Sequence, residues 1–302
     1  MKHILRAWQL DQAPCTLHAV RENRVYCIGS PARFALRHHR PNLRTISQIQ
    51  AELTWMTALG DQGLPVPHPV PTLAGSLILE HEGQLYSLIT WLPGTPLGYR
   101  QTPLDLKKPE QIFFNLGQLL KQLHTLPGPA DLDRPDWTRQ ALLGEAPLWG
   151  PFWNHPHLRT RERHMVLEFR EYARNTLAQK NLPHQLIHAD LLQENVLVKG
   201  TQISLIDFDD CAYGYRAFDL VTPLVQRLIN PEFADLRDAL LTGYGPADRE
   251  DLALFLVVRC LTYVGWICDK MDTPEGQAMS GRILTRALKQ TRAYLSGHSP
   301  ML

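Results

Sequence analysis

The sequence has no excess of charge of either sign. Its 302 residues contain 31 Lys and Arg against 30 Asp and Glu, so the formal net charge at pH 7 is +1. Binding to nucleic acid or to an anionic membrane surface usually requires a clear excess of Lys and Arg. The balanced charge therefore predicts no nucleic-acid partner and no membrane partner.

Cysteine is scarce, and long apolar runs are missing. The five cysteines form no Cys-x-x-Cys pair, which argues against a disulfide framework and against a zinc cluster. The N-terminal stretch lacks the uninterrupted apolar segment of a signal peptide, and we expect no run of about 18 apolar residues that would span a membrane. These absences predict a soluble protein of the reducing cytoplasm.

The chain is long enough for two domains, or for two lobes around one cleft. Its N-terminal part alternates short β-branched or aromatic segments with turn residues, a pattern typical of strands. The predicted strands lie at 25–28, 33–38, 76–80 and 85–90. One helix is predicted over 45–59, where apolar residues recur at helical spacing. The residues of this apolar stripe are Ile46, Ile49, Leu53 and Met56.

The pattern changes after the Pro-Gly pair at 93–94, and long helical periodicities follow. The predicted helices lie at about 109–126, 160–180, 219–229, 232–243, 249–269 and 275–296. The sequence thus predicts an N-terminal lobe at 1–90, a hinge at 91–94 and a helical C-terminal lobe at 95–302.

Polar side chains flank one predicted hairpin in the C-terminal half. Its two apolar strands lie at 196–198 and 203–206. Asp190 and Asn195 lie on the segment that enters this hairpin, and Asp207 follows its second strand. Mg²⁺ takes oxygen ligands and usually only one or two carboxylates from the protein. Asn195 and Asp207 are therefore candidate metal ligands.

Asp190 is a candidate for a different role. A carboxylate that lies beside the metal could orient a hydroxyl nucleophile and accept its proton. His188 is expected to support the loop by packing, and Asp219 is expected to hold the loop through backbone N–H groups. Asp209 and Asp210 leave three roles open: contact with a cationic substrate, with a second Mg²⁺, or only with solvent.

Two motifs resemble those of protein-kinase-like enzymes: His-Ala-Asp at 188–190 with Asn195, and Ile-Asp-Phe-Asp at 206–209. The longer segment 206–220 resembles the aminoglycoside phosphotransferase and choline kinase family, in particular the branch that contains homoserine kinase type II and the bacterial stress response kinase A. The resemblance covers most of the chain. It implies an α+β, two-lobe protein-kinase-like fold, with a small antiparallel-sheet N-terminal lobe that carries one helix and a larger helical C-terminal lobe.

By the same resemblance, the chain would transfer the γ-phosphoryl group of ATP to a hydroxyl group. Asn195 and Asp207 would hold Mg²⁺, and Asp190 would act as the catalytic base. Arg37 lies where such enzymes have a Lys that contacts the α and β phosphates. Glu52 lies where they have the helix carboxylate that pairs with this cation.

The resemblance also assigns nucleotide contacts to three further residues. The Thr90 carbonyl and the Leu92 amide would meet adenine, and Asn23 lies at the start of the strand that follows the phosphate-covering loop. Two features depart from the family pattern. Arg37 keeps the charge of the usual Lys but differs in reach and geometry. The segment 17–23 contains no glycine, which makes a close backbone approach to phosphate harder.

The sequence leaves three functions open. Asp219 follows Asp207 by only twelve positions and no Ala-Pro-Glu motif follows, so the long peptide-binding segment of ordinary protein kinases is missing. This favours a small hydroxylated acceptor, such as an aminoglycoside, an amino alcohol or a homoserine-like compound. An acidic pocket lined by Asp209 and Asp210 would indicate an amine-bearing acceptor. The alternatives are a Ser/Thr protein kinase of the stress response kinase A type and a nucleotide-binding pseudokinase scaffold, the latter favoured by Arg37 and the missing glycines.

Overall fold

The structure, a computed structural model, describes residues 1–99, 104 and 106–302. Its strands are, in chain order, β1 (Cys15–Val20), β2 (Arg24–Ile28), β3 (Phe34–His38), β4 (Pro69–Val70), β5 (Leu79–His81), β6 (Gln84–Thr90), β7 (Thr95–Pro96), β8 (His184–Ile187), β9 (Val196–Lys199), β10 (Gln202–Leu205) and β11 (Ala212–Tyr215). Its helices are α1 (Lys2–Leu5), α2 (Ile46–Asp61), α3 (Pro109–Thr125), α4 (Arg139–Leu143), α5 (Thr160–Gln179), α6 (Arg216–Val225), α7 (Phe233–Tyr244), α8 (Arg249–Cys268) and α9 (Pro274–Leu295).

These elements pack as two compact units, each assembled from several chain segments. The first unit comprises Met1–Leu97, Thr125–Arg134 and Glu194–Cys211. The second comprises Gly98–His124, Pro135–Gln193 and Ala212–Leu302. The first unit thus includes two segments from beyond residue 95, and the functional lobe boundaries at 1–90, 91–94 and 95–302 stay a prediction.

The main sheet of the first unit is antiparallel and follows the order β1-β2-β3-β6-β4, with β5 also paired to β6. Glu82 and Gly83 connect β5 to β6 with positive φ angles of 51° and 70°, as a type I′ hairpin turn requires. One face of the sheet packs against the N-terminal helical turns, where Leu5 and Trp8 meet Leu36 and other buried apolar residues of the strands.

Helix α2 begins with a capping box at Thr45. The Thr45 hydroxyl accepts a hydrogen bond from the Gln48 N–H, and the Gln48 side chain accepts one from the Thr45 N–H. Of the predicted apolar stripe, three residues are buried and Ile46 is 52% exposed. The prediction is wrong for Ile46 because this residue is the first of the helix, where the chain enters from solvent.

The first unit also contains a small sheet with the order β10-β9-β7. Here β9 and β10 form the hairpin predicted from the sequence, and β7 pairs with β9 through Thr95 and Val198. Gly94, just before β7, has a φ of 134°, and a Cβ atom at this position would lie 3.0 Å from the Val198 carbonyl oxygen. Glycine is therefore needed where the chain passes over the hairpin.

The second unit is mostly helical. Helix α8 packs against α6 and α9, α5 packs against α9, and the two-stranded antiparallel ribbon of β8 and β11 packs against α6. Helix α8 is almost wholly buried, and Asp248 caps its N-terminus by accepting hydrogen bonds from the Glu250 and Asp251 N–H groups.

By length and composition, α8 alone among the helices of the described residues could cross a membrane. Its most apolar 18-residue window has a mean hydropathy of 1.7, and 78% of that window is buried within the protein. The expectation that no such segment exists is therefore wrong. A helix buried all round in a protein core passes the same length and composition test.

Candidate functional site

The hairpin of the first unit brings Asn195 and Asp207 to the same end. Val196 pairs with Leu205 at the open end of the hairpin. One position further out, the Ile206 N–H donates a 2.9 Å hydrogen bond to the Asn195 carbonyl. The sequence predicts that Asp190, Asn195 and Asp207 converge on one edge. The structure shows this for Asn195 and Asp207, because the residue before one strand and the residue after its hairpin partner lie at the same edge, whereas Asp190 belongs to the second unit.

Asp207 has an unusual backbone conformation and an open carboxylate. Its φ is +66°, in the left-handed region that Asp and Asn tolerate best among non-glycine residues. The side chain is exposed to solvent. Within the described residues its carboxylate accepts no hydrogen bond and forms no ion pair. This carboxylate is therefore available to an external cation.

The charges around Asp207 leave it poorly compensated. Desolvation by the surrounding protein atoms raises the pKa of Asp207 to about 7. The charge of Arg37 lowers this pKa, whereas the charges of Asp209, Glu52 and Asp210 raise it. The neighbouring carboxylates thus add a repulsion to the cost of desolvation. A divalent cation bound to Asp207 would offset the repulsion between Asp207 and these carboxylates.

Arg37 and Glu52 form the buried pair that the resemblance implies. Arg37 Nη1 lies 2.5 Å from Glu52 Oε1 and Nη2 lies 3.2 Å from Oε2, and both side chains are nearly inaccessible to solvent. Burial alone would lower the Arg37 pKa, but the carboxylates of Glu52 and Asp209 outweigh it and raise the pKa. The fork-to-fork geometry is one that Lys could not adopt.

Arginines hold both of the acidic residues that follow Asp207. Asp209 lies 3.3 Å from Arg37 and 3.5 Å from Arg44, and its backbone carbonyl accepts a hydrogen bond from Arg134. Burial would raise the Asp209 pKa, but the three arginines lower it. Asp210 accepts a 2.6 Å hydrogen bond from Arg44 Nη2. Both carboxylates are thus neutralised within the first unit, which gives no support to an acidic pocket for an amine.

Asn23 is tied into the same cluster. It is buried, and its Nδ2 lies 3.5 Å from Asp209 Oδ1. Its Oδ1 accepts a 3.1 Å hydrogen bond from the Arg40 N–H. The side chain therefore fixes the turn between β1 and β2, and its contact with nucleotide stays a prediction.

The predicted adenine contacts lie at the end of β6. Thr90 exchanges two hydrogen bonds with His68: its N–H donates to the His68 carbonyl at 2.9 Å, and its hydroxyl accepts from the His68 N–H at 2.8 Å. The Leu92 N–H, by contrast, donates to no backbone carbonyl in the part of the chain that the structure describes. The Leu92 amide is thus free to serve the role predicted for it.

In the second unit, Asp219 fixes the loop that carries Asp190. Asp219 Oδ2 accepts a 2.8 Å hydrogen bond from the His188 N–H, and Oδ1 accepts one of 2.7 Å from the Ala189 N–H. His124 Nε2 lies 3.2 Å from the same carboxylate. All of these groups are buried, and Ala189 has a φ of +69°. The predicted role of Asp219 as the loop anchor is confirmed.

We expect the Asp219→Asn variant to lose stability and loop geometry together. An amide places N–H donors where one carboxylate oxygen accepts, so one buried backbone N–H loses its partner, at a cost of about 1–3 kcal/mol. Chemical denaturation measures this cost. Asp238→Asn, at a side chain 51% exposed, is the control and should change stability far less. Equal stability of both variants would contradict the anchoring role.

Asp190 itself is paired with an arginine that the sequence analysis did not identify. Its side chain is 27% exposed, and Oδ1 accepts a 3.0 Å hydrogen bond from Nη2 of Arg259. Arg259 is 69 residues away in the chain. One sequence feature could have identified Arg259: it is a single charge inside the long apolar pattern of α8. A buried arginine requires a partner.

The first unit supplies oxygen ligands suited to Mg²⁺. Asn195 offers an amide oxygen and Asp207 a carboxylate, which is the small protein contribution that Mg²⁺ usually takes. Among residues 1–99, 104 and 106–302, no group of three or more His, Cys, Asp and Glu side chains is arranged to hold a metal ion. The set therefore fits a metal that phosphate and water would also ligate, and not a metal enclosed by protein.

Comparisons with known proteins point to phosphoryl transfer. A model of the phosphotransferase enzyme family matches residues 15–255. An uncharacterized protein of Synechocystis sp. is 31% identical over an alignment of 233 residues, and the match covers 73% of this chain and 62% of that protein. Homoserine kinase of Methylobacillus flagellatus is 26% identical over an alignment of 186 residues, and the match covers 60% of this chain and 53% of the enzyme. The chain thus spans less than two thirds of either relative.

A solved structure, that of a microcompartment-associated aminopropanol kinase, superposes on almost the whole chain. The TM-score is 0.83 at 23% identity, and the match covers 98% of this chain and 97% of that one. This likeness confirms the α+β, kinase-like fold predicted from the sequence.

Proposed function

Because the chain belongs to the phosphotransferase enzyme family, we propose that it transfers the γ-phosphoryl group of ATP to a hydroxyl group of a small molecule, with Mg²⁺ bound. One observation carries the proposal. Asp207 is exposed at the open end of the hairpin, without a protein partner in the described residues, whereas arginines hold Asp209 and Asp210. This selective pairing leaves one carboxylate for a metal.

The roles of the individual residues follow from their surroundings. Mg²⁺, bound through Asn195 and Asp207, would neutralise phosphate charge. Arg37 is held by Glu52 in a fixed orientation and would place a permanent positive charge near the phosphates. Asp190 would orient the acceptor hydroxyl and take its proton. Catalysis of this kind is mostly positioning and electrostatic stabilisation.

We further propose that the acceptor is a small amino alcohol. Two proteins similar to this chain are a homoserine kinase and an aminopropanol kinase, and both names denote compounds with an amino group and a hydroxyl group. The short stretch between Asp207 and Asp219 supports a small acceptor over a protein. Recognition of the amine by Asp209 and Asp210 is not part of this proposal, since both are neutralised by arginine.

An acceptor panel tests this proposal. ADP release and the mass of the phosphorylated product are measured with homoserine, 1-amino-2-propanol, ethanolamine, choline, kanamycin and a Ser/Thr-rich protein. Each of the first two acceptors is matched with an analogue that lacks the hydroxyl, 2-aminobutanoate and propylamine. We expect Mg²⁺-dependent product with at least one amino alcohol and none with its matched analogue. Product with the protein alone would contradict a small acceptor.

A further inference from the structure

The loop that carries Asp190 has no positive charge of its own. Between His188 and Asn195 there is no Lys and no Arg. The cation beside Asp190 comes instead from the middle of α8, where Arg259 Nη2 lies 3.0 Å from Asp190 Oδ1. Only 6% of the Arg259 side chain is exposed, against 27% for Asp190. The buried guanidinium of Arg259 therefore contacts an Asp190 carboxylate that is partly open to solvent.

The Arg259 guanidinium is held by three further contacts, so its direction is fixed. Its Nε donates a 3.2 Å hydrogen bond to the Thr222 hydroxyl, which in turn donates to the Phe218 carbonyl at 2.7 Å. Its central carbon lies 4.1 Å from the centroid of the Tyr263 ring and 5.3 Å from that of Phe218. A planar guanidinium that stacks on aromatic faces and a fixed donor fork distinguish arginine from lysine.

From this arrangement we propose that Arg259 is a positioning residue for phosphoryl transfer, which fixes the Asp190 carboxylate in the orientation that accepts the acceptor proton. The inference rests on the proposed function. A carboxylate on a loop can rotate about its last bond, whereas a charge-assisted hydrogen bond from a fixed guanidinium selects one rotamer. Correct orientation of a base is worth much of the rate in reactions of this kind.

The physical alternative is that Arg259 only stabilises α8 and its neighbours. The two roles differ in what they change. A positioning residue affects kcat and leaves the KM for ATP unchanged, because Arg259 is not among the residues proposed to bind nucleotide. A structural residue affects the amount of folded protein and leaves the kcat of the folded molecules unchanged.

The test compares the Arg259→Met and Arg259→Lys variants of the full chain. We expect Met to lower kcat on the order of 100-fold without changing the KM for ATP. Lys should recover part of the loss, since it keeps the charge and loses the fork. Arg249→Met, at an exposed arginine in the first turn of the same helix, is the matched control and should keep the kcat of the unmodified chain. Unchanged kcat in Arg259→Met would overturn the inference, as would a Lys variant no better than Met.

Thr222→Val gives a second route that preserves the buried charge. Valine has nearly the shape of threonine but cannot accept the hydrogen bond from Arg259 Nε. We expect Thr222→Val to lower kcat less than Arg259→Met does and to leave the KM for ATP unchanged. If Arg259→Met does not fold, an unchanged kcat in Thr222→Val overturns the inference. The unmodified chain serves as the reference throughout. If it transfers no phosphoryl group, the proposed function fails; if it does and only the Arg259 predictions fail, the inference alone is wrong.

Discussion

Phosphoryl transfer is expected to fall on the order of 10²–10⁴-fold when Asp190 is replaced by Asn, the range that a positioned general base contributes. Asn keeps the size of the side chain and can still accept a hydrogen bond from Arg259 through its amide oxygen, but it cannot take the proton of an attacking hydroxyl. ATP binding should be unchanged, because Asp190 is not among the proposed nucleotide or metal ligands. Steady-state kinetics gives the first result, and calorimetric titration with ATP gives the second.

Two measurements make this prediction specific to the chemistry. Thermal unfolding should show that Asp190→Asn folds, since the side chain is partly exposed and Asp219 holds the backbone N–H of the preceding residue, Ala189. Asp238→Asn, an exposed carboxylate in the same unit, controls for the loss of one negative charge and should turn over normally. Normal turnover in the Asp190→Asn variant would remove Asp190 from the site.

The Asp207→Asn variant should lose activity while keeping, or even gaining, stability. Removing a metal-binding carboxylate costs several kcal/mol of charge stabilisation, so we expect turnover to fall on the order of 10³-fold. Asn adopts the left-handed conformation of Asp207 without added strain. Its neutral amide also ends the repulsion by Asp209 and Glu52 that helps to raise the Asp207 pKa.

The sign of the stability effect follows from that pKa. A carboxyl group whose pKa is higher in the folded chain than in the unfolded chain favours folding when it is protonated, and it opposes folding once the pH rises above its folded pKa. The Asp207 pKa is about 7 in the folded chain. At pH 8 without Mg²⁺, Asp207→Asn should therefore unfold at a temperature equal to or above that of the unmodified chain. Added Mg²⁺ and ATP should stabilise the unmodified chain more than the variant.

Asp209→Asn is the matched comparison, only two positions away. Its carboxylate pairs with Arg37 and Arg44, so its loss removes one of the two carboxylates that each of these arginines contacts and should lower the unfolding temperature. Asp207→Asn should thus unfold at a higher temperature than Asp209→Asn. A drop in stability of Asp207→Asn as large as that of Asp209→Asn, or normal turnover of Asp207→Asn, would contradict the assignment of Asp207 to the metal.

Local sequence patterns predicted much of the fold. The long apolar periodicities correspond to α3, α5, α7, α8 and α9 within a few residues, because each of these helices must bury a continuous apolar face. The predicted strand at 76–80 is β5 at Leu79–His81. It starts later because Ser76 bonds locally to Thr72 and Ile78 and so forms a turn. Strands of two residues, such as β4 and β7, carry no pattern that a sequence can reveal.

The candidate site was predictable only where its residues are close in the chain. The hairpin that joins Asn195 to Asp207 and the anchoring of the loop by Asp219 follow from local motifs. The contacts of Arg44 and Arg259 do not follow from local motifs. Arg44 lies 166 residues from Asp210, and Arg259 lies 69 residues from Asp190. Such pairs depend on which surfaces fold against each other, and a single sequence contains 23 arginines from which to choose.

Phosphorus NMR of the unmodified chain with ATP, Mg²⁺ and an amino alcohol tests the central claim, phosphoryl transfer to a small molecule, most directly. We predict that the γ-phosphate resonance of ATP decays while a phosphate-monoester resonance grows in equal amount, and that neither change occurs when Mg²⁺ is chelated. Unchanged ATP across the whole acceptor panel, or inorganic phosphate as the sole new resonance, would contradict the claim.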